Sequence, residues 1–429
     1  MPASGFIDAC GFNPASGGTG SFVVAAAITG YQTPASAGAT NGTIYAYRAQ
    51  SLDMSQWEIG FGTYSSATPT LARTTVTANS SGGTSAINFS AAPSVFVTAL
   101  SVDLVNLAAT GCGYVNKFRN ATMDVWQRGT SLSTGGGYTA DGWIVSPTGA
   151  AVTASQVAGR LLSAYALRVT GAASVTDVLV YQRIESVVAA PLSGQTVTVQ
   201  AQIYNNTGTT ITPTLTVTHP ASADAWGGSQ ITDVNAANLQ ACPNGAWTRV
   251  AYTFVASTAT VNGIQVIFDF GNNLSSNSKF VQLAELDTRV TPFAPVGLNA
   301  VPPPPELRPV THELQFCQRY FQKSYSQSVA PGANLGNGGG TVYNVAAPTN
   351  YVGGAVRYQT VMRTAAQMTA YDNAGTPNKI SYLVTTTGSW SGGGALTQVI
   401  QFDSGFSWLW GPVNNTGNVS FDWVASAEL

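Results

Sequence analysis

Paired carboxylates are the first chemistry to weigh, because hydrolysis of a glycosidic bond needs two acidic side chains about 5–10 Å apart. The chain has nineteen Asp and Glu among 429 residues. The nearest approach to a cluster is Asp224, Asp233, Glu285 and Asp287, and these read better as scattered turn and edge residues. His219 and His312 are the only histidines, neither stands in a triad context, and there is no G-x-S-x-G elbow. Gly338–Gly340 and Gly392–Gly394 lack a following Lys-Ser/Thr and a helix, so they read as loops and not as phosphate cradles. Cys10, Cys112, Cys242 and Cys317 lie far apart with no C-x-x-C spacing. They point to reduced core thiols rather than a metal knuckle, with pairing within or between chains left open. No catalytic residue, cofactor or metal site is expected, and the chain reads as a non-enzyme.

The aromatic residues offer different chemistry. A saccharide is held by stacking on exposed rings together with a few polar groups. Of nine tryptophans, Trp57, Trp126, Trp143 and Trp247 sit in strand-like alternation and are assigned to the core. Trp408 and Trp410 share a face with Phe406, as a core or subunit-contact stripe would. Trp226, between Asp224 and Gly227-Gly228, and Trp390, in SWSGGG, fall in polar loops. With Tyr351 they are the candidate glycan or receptor contacts.

The elements that must position these side chains are short strands. Only 8% of residues are charged, against a usual ~25%, while 44% are hydrophobic. Such a composition is not that of a disordered chain. With 45 glycines and 21 prolines spread along the sequence, it suits an all-β protein with many tight turns. The net charge of −2 and the lack of a basic patch exclude nucleic acid as a partner. Phe22–Ile28, the longest apolar run near the start, is too short to span a bilayer, and no Lys or Arg precedes it as in a secretory signal, so no membrane insertion is expected.

Residues 1–20 read as an extended arm. Strands are predicted at Phe22–Ile28, Thr43–Gln50, Gln56–Gly62, Thr70–Thr77 and Ser94–Leu100, within one β domain. Met123 and Val125 alternate with Asp124 and Trp126 as in a strand. Further strands are predicted at Tyr165–Thr170, Thr176–Glu185, Thr196–Tyr204, Ile211–Thr218, Trp247–Val255, Ile264–Phe270 and Phe280–Leu286. About eight strands at this spacing suggest a two-sheet jelly roll. Pro302–Pro305 is a stiff linker. Beyond it, Thr311–Lys323 reads as a helix capped by Thr311, with Leu314, Cys317 and Phe321 on one face. A β-rich region closes the chain, with strands expected at Gly353–Arg363, Lys379–Thr386, Leu396–Phe402, Phe406–Trp410 and Val419–Val424.

Three segments carry a resemblance to bacteriophage tail fibre and tail spike proteins. Residues Ser16–Leu104, from SGGTGSFVVAAAITGYQ onward, resemble the N-terminal virion-attachment domain of such chains. Arg119–Trp143, RNATMDVWQRGTSLSTGGGYTADGW, is similar to the opening of their carbohydrate-binding-module-like jelly rolls, departing at Gly142, where the pattern carries Arg. Leu307–Tyr325, LRPVTHELQFCQRYFQKSY, and the closing FDWVASAEL resemble their C-terminal receptor-binding-type domain.

The resemblance implies a 21–104 anchoring domain after the 1–20 arm, a 105–118 linker, a 119–297 jelly-roll sandwich, a 298–310 Pro-rich linker and a 311–429 receptor-binding tip. It further implies a homotrimer in which Leu314, Cys317 and Phe321 meet their symmetry mates. The partners it implies are a phage tail or head attachment protein and a host surface polysaccharide. The location implied is the virion tail, after assembly in the host cytoplasm. Non-catalytic attachment to the bacterial surface is the function expected. The alternatives are a polysaccharide depolymerase tail spike, and a head fibre or tail adaptor without receptor contact.

Overall fold

Alternation of apolar and polar residues sets the sheets. In Thr196–Asn206, Val197, Val199, Ala201 and Ile203 all face one side and are buried. The computed structural model describes residues 5–101, 103, 115–292, 294–334, 340–345, 351–384, 388–411 and 417–429. The fold is all-β, as expected. Two compact units are present: residues 1–113 with 292–294, and residues 114–291 with 295–429.

In the first unit, Ile44–Gln50, Ser94–Val97, Gly11–Pro14, Phe22–Ala27, Thr70–Leu71 and Trp57–Ser65 pair in that order, and the last pairs back onto the first. The pairings therefore close a small barrel, with Thr75–Asn79 added to the strand Trp57–Ser65. Phe12, Phe22, Tyr47, Tyr64, Leu71 and Phe89 fill it. Residues 1–20 are not simply an extended arm, because Gly11–Pro14 is one of the paired strands and Phe12 is in the core. Glu58 is fully buried and ion-paired with Arg73; it also accepts bonds from the Tyr47 hydroxyl and the Ile87 N–H, each at 2.8 Å.

The second unit contains a sandwich of two antiparallel sheets. One runs Gln230–Asn238, Thr214–Pro220, Ile264–Asp269, Asp177–Ile184, Ile144–Thr148, Gly137–Tyr138. The other runs Gly297–Leu298, Trp247–Val255, Thr196–Asn206, Phe280–Val290, Tyr165–Thr170, Val152–Ala158, Ser131–Thr134. Valines, isoleucines and leucines from both inner faces form one core with Phe118, Trp126 and Trp143. The same unit includes a second β region around the long strand Gly417–Ser426, which pairs with Phe321–Lys323, Thr341–Val345, Gln367–Tyr371 and Ile380–Val384. A separate sheet of Val352–Arg357, Gly405–Trp410 and Gln398–Gln401 packs its Phe406 and Trp408 against Phe421 and Trp423.

The helix differs from the expected one. It spans Val310–Gln318, its N-cap is Pro309 with no side-chain cap bond, and Phe321 already belongs to the strand Phe321–Lys323. Thr311 is exposed and does not cap. Met123–Trp126 is likewise not a strand. Asn120, at φ +53, organises it instead: its amide donates to the Val125 and Asp141 carbonyls (2.8 and 3.1 Å) and accepts from the Val125 N–H at 3.0 Å. Cys10, Cys242 and Cys317 are buried and free, whereas residues 105–114 of the 105–118 linker, Cys112 among them, lie outside the described residues.

Candidate functional site: the outer face of the seven-stranded sheet

The three aromatic residues picked out in the sequence lie in different surroundings. Trp226 is only 8% exposed, because Arg183 lies over its ring at 5.3 Å and Gly263 packs beneath it. Its polar neighbours fold inward, with Asp224 bonded to Ser186, so the polar loop hides the indole. Trp390 is half-buried and sits in the strand Ser389–Gly394 opposite Leu383, not in a loop. Tyr351 is 51% exposed, just before the strand Val352–Arg357 of another sheet.

The helix face is also used differently from the expected trimer contact. Cys317 and Phe321 are buried within the chain, and Leu314 is half-buried in a cleft lined by Trp126 and Tyr165. What covers the end of the helix and the strand after it is the segment Arg119–Trp143. The Arg128 guanidinium lies 3.8 Å from the Phe321 ring centroid, and that of Arg119 lies 3.9 Å from Tyr320. Glu428 bridges both arginines, at 2.9 Å to Arg119 and 3.0 Å to Arg128. Arg128 also pairs with Asp141 at 2.8 Å. Burial pushes the Asp141 carboxyl up to about 6, against the pull of Arg128. Lys323 donates to the carbonyls of Gln127, Gln327 and Val329 (2.8, 3.0 and 2.7 Å), and burial lowers its ammonium to about 8. Glu313, fully buried, accepts from Arg308 at 3.1 Å and from the Asn120 N–H at 2.6 Å. Gly142 has φ +82, and a Cβ there would lie 2.5 Å from Arg119 Nε. The departure from the resembled pattern at this position is thus matched by Arg119, which fills the space.

A more open arrangement lies on the outer face of the seven-stranded sheet. Opposite the apolar side chains of Thr196–Asn206 stand Thr198, Gln200, Gln202 and Tyr204. Register places Tyr204 opposite Trp247 on one side and Gln282 on the other, with Arg168 opposite Gln282. Trp247, Tyr204, Gln282 and Arg168 therefore form one row across four strands. Phe280 lies beside it: its ring is 6.0 Å from Tyr204 and nearly parallel, while Tyr204 and Trp247 are 5.6 Å apart. The Arg168 guanidinium lies 4.3 Å from the Phe280 centroid. Trp247, assigned above to the core, is half-buried on this outer face.

Polar groups frame the row. Gln202 is only 7% exposed, and its Oε1 has no hydrogen-bond partner; Arg168 Nε is likewise buried and unpartnered. A buried polar atom left without a partner costs roughly 1–3 kcal/mol. Glu285, at a bulge with φ +51, accepts from the Leu162 N–H at 3.0 Å. Burial raises the Asp287 carboxyl, although Arg289 is ion-paired with it. Asp224 and Asp233 are elsewhere, Asp233 2.9 Å from His219, so the four carboxylates singled out in the sequence do not converge.

One end of the face is closed by the chain itself. Residues 299–306 cross it as an extended strap. The Pro303 carbonyl accepts from Gln200 at 2.9 Å and from Arg249 at 2.6 Å, and the Pro304 carbonyl accepts from Arg289 at 2.8 Å. Asn299 donates to Thr253 at 3.1 Å, and the Glu306 N–H donates to Asp287 at 2.8 Å. The strap explains why Thr198 and Gln200 are buried although they point away from the core.

The signal that could have found the row was Tyr204, an aromatic on the polar side of an otherwise regular alternation. Among the described residues, no group of three His, Cys, Asp or Glu could hold a metal, and no helix is long and apolar enough to cross a membrane.

No protein-family profile and no curated protein matches the chain. Among solved structures, parts of it are similar to the enzymatically active domain of tailspike protein 4 of bacteriophage CBA120, at 13% identity and a TM-score of 0.29, covering 42% of this chain and 22% of that one. The CBM22-1–GH10 modules of Clostridium thermocellum xylanase 10B, complexed with xylohexaose, are similar at 14% identity and a TM-score of 0.28, covering 44% and 31%. This chain thus spans less than a third of the length of either. The tandem CBM22 domain of Xyn10C from Paenibacillus barcinonensis is similar at 9% identity and a TM-score of 0.28, covering 75% and 93%. Likeness this slight carries no function from one chain to the other.

Proposed function

We propose that this chain is a non-catalytic glycan-binding subunit of a bacteriophage tail fibre or spike, and that the outer face of its seven-stranded sheet holds the saccharide. The observation that carries the glycan part is the row Trp247–Tyr204–Gln282–Arg168 beside Phe280, flanked by an unpartnered Gln202. Rings offer stacking surface, and amide and guanidinium groups offer the bonds that sugar hydroxyls need. The virion part rests on the resemblance of three separate segments to tail fibre proteins. In this reading residues 21–104 attach to the tail or head. The chain is a homotrimer, and several weak sites per particle combine into firm attachment. The carboxylates on the sheet are held by Arg289, Glu306 N–H and Leu162 N–H, which suits binding better than hydrolysis.

The test is binding of the purified chain to host cells and to their isolated surface polysaccharide. Binding that purified polysaccharide competes away, and that Trp247→Ala loses, supports the reading. No binding, or sustained release of new reducing ends from the polysaccharide, overturns it.

A further inference from the structure

The outer sheet face carries Arg168, Arg249 and Arg289, and they are not equivalent. Arg249 is used by Gln200 and the Pro303 carbonyl. Arg289 is used by Asp287 and the Pro304 carbonyl. Arg168 has no hydrogen-bond or ion-pair partner among the described residues; its contact is the Phe280 ring at 4.3 Å, and its Nε is shielded from water without an acceptor. The acids that could reach this face are already engaged: Asp287 by Arg289 and the Glu306 N–H, Glu285 by the Leu162 N–H. Stacking on Phe280 holds the guanidinium plane in place, so little freedom is left to lose on binding.

From this asymmetry we propose that the ligand of the face is an anionic glycan, its oxyanion held by Arg168 while its ring rests on the Trp247–Tyr204–Phe280 aromatics. The inference rests on the saccharide reading above and narrows it. The terminal nitrogens of Arg168, free of any partner among the described residues, match the two oxygens of a carboxylate or phosphate, and charge-assisted bonds are about twice as strong as neutral ones. Gln202, with its Oε1 unfilled and shielded, accepts from a sugar hydroxyl once its side chain turns outward. An acceptor for a hydroxyl and a donor for an anion on one aromatic face are the complement of an acidic sugar residue. The strap at residues 299–306 takes up the other two arginines, and Arg168 is thereby the cation left to select charge.

Hexuronate carboxylates and sugar phosphates share this chemistry, and calorimetry on the full chain separates them. Three probes of equal length are compared: a hexuronate oligosaccharide, its carboxyl-reduced neutral form, and a phosphorylated oligosaccharide. The expected result is that at least one anionic probe binds about 10–100-fold more tightly than the neutral one. Its affinity should also fall as salt rises. Arg168→Gln should bring the anionic probe down to the neutral level, with circular dichroism and melting temperature unchanged, and Arg168→Lys should restore part of the preference. Tighter binding of the phosphorylated probe supports the proposal and names the source of charge. Equal binding of all three that Trp247→Ala abolishes overturns the anion inference and leaves the saccharide reading standing. A preference for anions that survives Arg168→Gln overturns the role of Arg168. Failure of every probe to bind overturns the anion inference, and binding of host polysaccharide then decides the saccharide reading by itself.

Discussion

Buried polar groups gather in two regions of the second unit, and the two differ in how far each charged side chain is answered. Where Arg119–Trp143 meets the helix and the strand Phe321–Lys323, nearly every buried charge is answered: Arg119 and Arg128 by Glu428, Arg308 by Glu313, and Lys323 by three carbonyls. On the outer sheet face, the half-buried Arg168 has no side-chain hydrogen-bond or ion-pair partner among the described residues, and Gln202 Oε1 is unfilled. In the first region Arg119 Nε and Gln127 Oε1 are unfilled too, but the remaining groups of those side chains are bonded. Burial is therefore a poor guide to role, and satisfaction is a better one. A charged side chain answered by an ion pair or several carbonyls holds the fold together, whereas one with no partner at all, like Arg168, is where another molecule can complete the bonding.

This contrast can be broken or sharpened by substitution. The largest effect is expected at Glu313. Replacing it by Ala leaves the buried Arg308 charge without its carboxylate, its bonds to the Asn116 and Phe118 carbonyls remaining, and should lower unfolding free energy by about 3–5 kcal/mol in chemical denaturation. Next is the pH response of Asp141. Its folded value of about 6 lies above the ordinary carboxylate value, so the folded state holds the proton more tightly. The stability this contributes is fully present below about pH 4 and is lost as pH rises through 6, a span of about 3 kcal/mol. Asp141→Asn should flatten that part of the curve of unfolding free energy against pH, and a slope that persists would place the raised group elsewhere.

Smaller effects are expected on the open face. Trp247→Ala should cost about 1–2 kcal/mol of stability for a half-buried ring, yet lower saccharide affinity more than tenfold. Gln202→Leu should change stability by less than about 1 kcal/mol, or raise it, because no internal bond is lost. The same substitution should weaken saccharide binding. If Gln202→Leu destabilises as strongly as Glu313→Ala, the distinction between answered and unanswered groups fails.

The sequence was most legible where periodicity decided the outcome. Tyr165–Thr170 and Trp247–Val255 are strands at the boundaries that their alternation predicts. It misled where side chains bond to backbone: Met123–Trp126 alternates like a strand, but Asn120 ties it into a turn-rich knot. Trp226 looked exposed because its neighbours are polar, and those neighbours are what cover it. The aromatic row was out of reach for another reason. Trp247, Tyr204, Phe280 and Arg168 come from four strands, and only the antiparallel register sets them side by side. Cys317 and Phe321 were legible as an apolar face, but not the identity of the surface they meet.

The bridge made by Glu428 has a mechanical consequence. It joins the segment at 119–128 to the last turn of chain beyond the strand Gly417–Ser426, where Arg183 and Tyr138 also grip the Leu429 carbonyl at 2.7 and 2.9 Å. Tension drawing the sandwich away from the region after it would load these contacts together with the Lys323 and Glu313 bonds, in parallel and not one after another. Bonds loaded in parallel share the force and fail together, so the second unit should resist steady pulling and then give way abruptly in one large step.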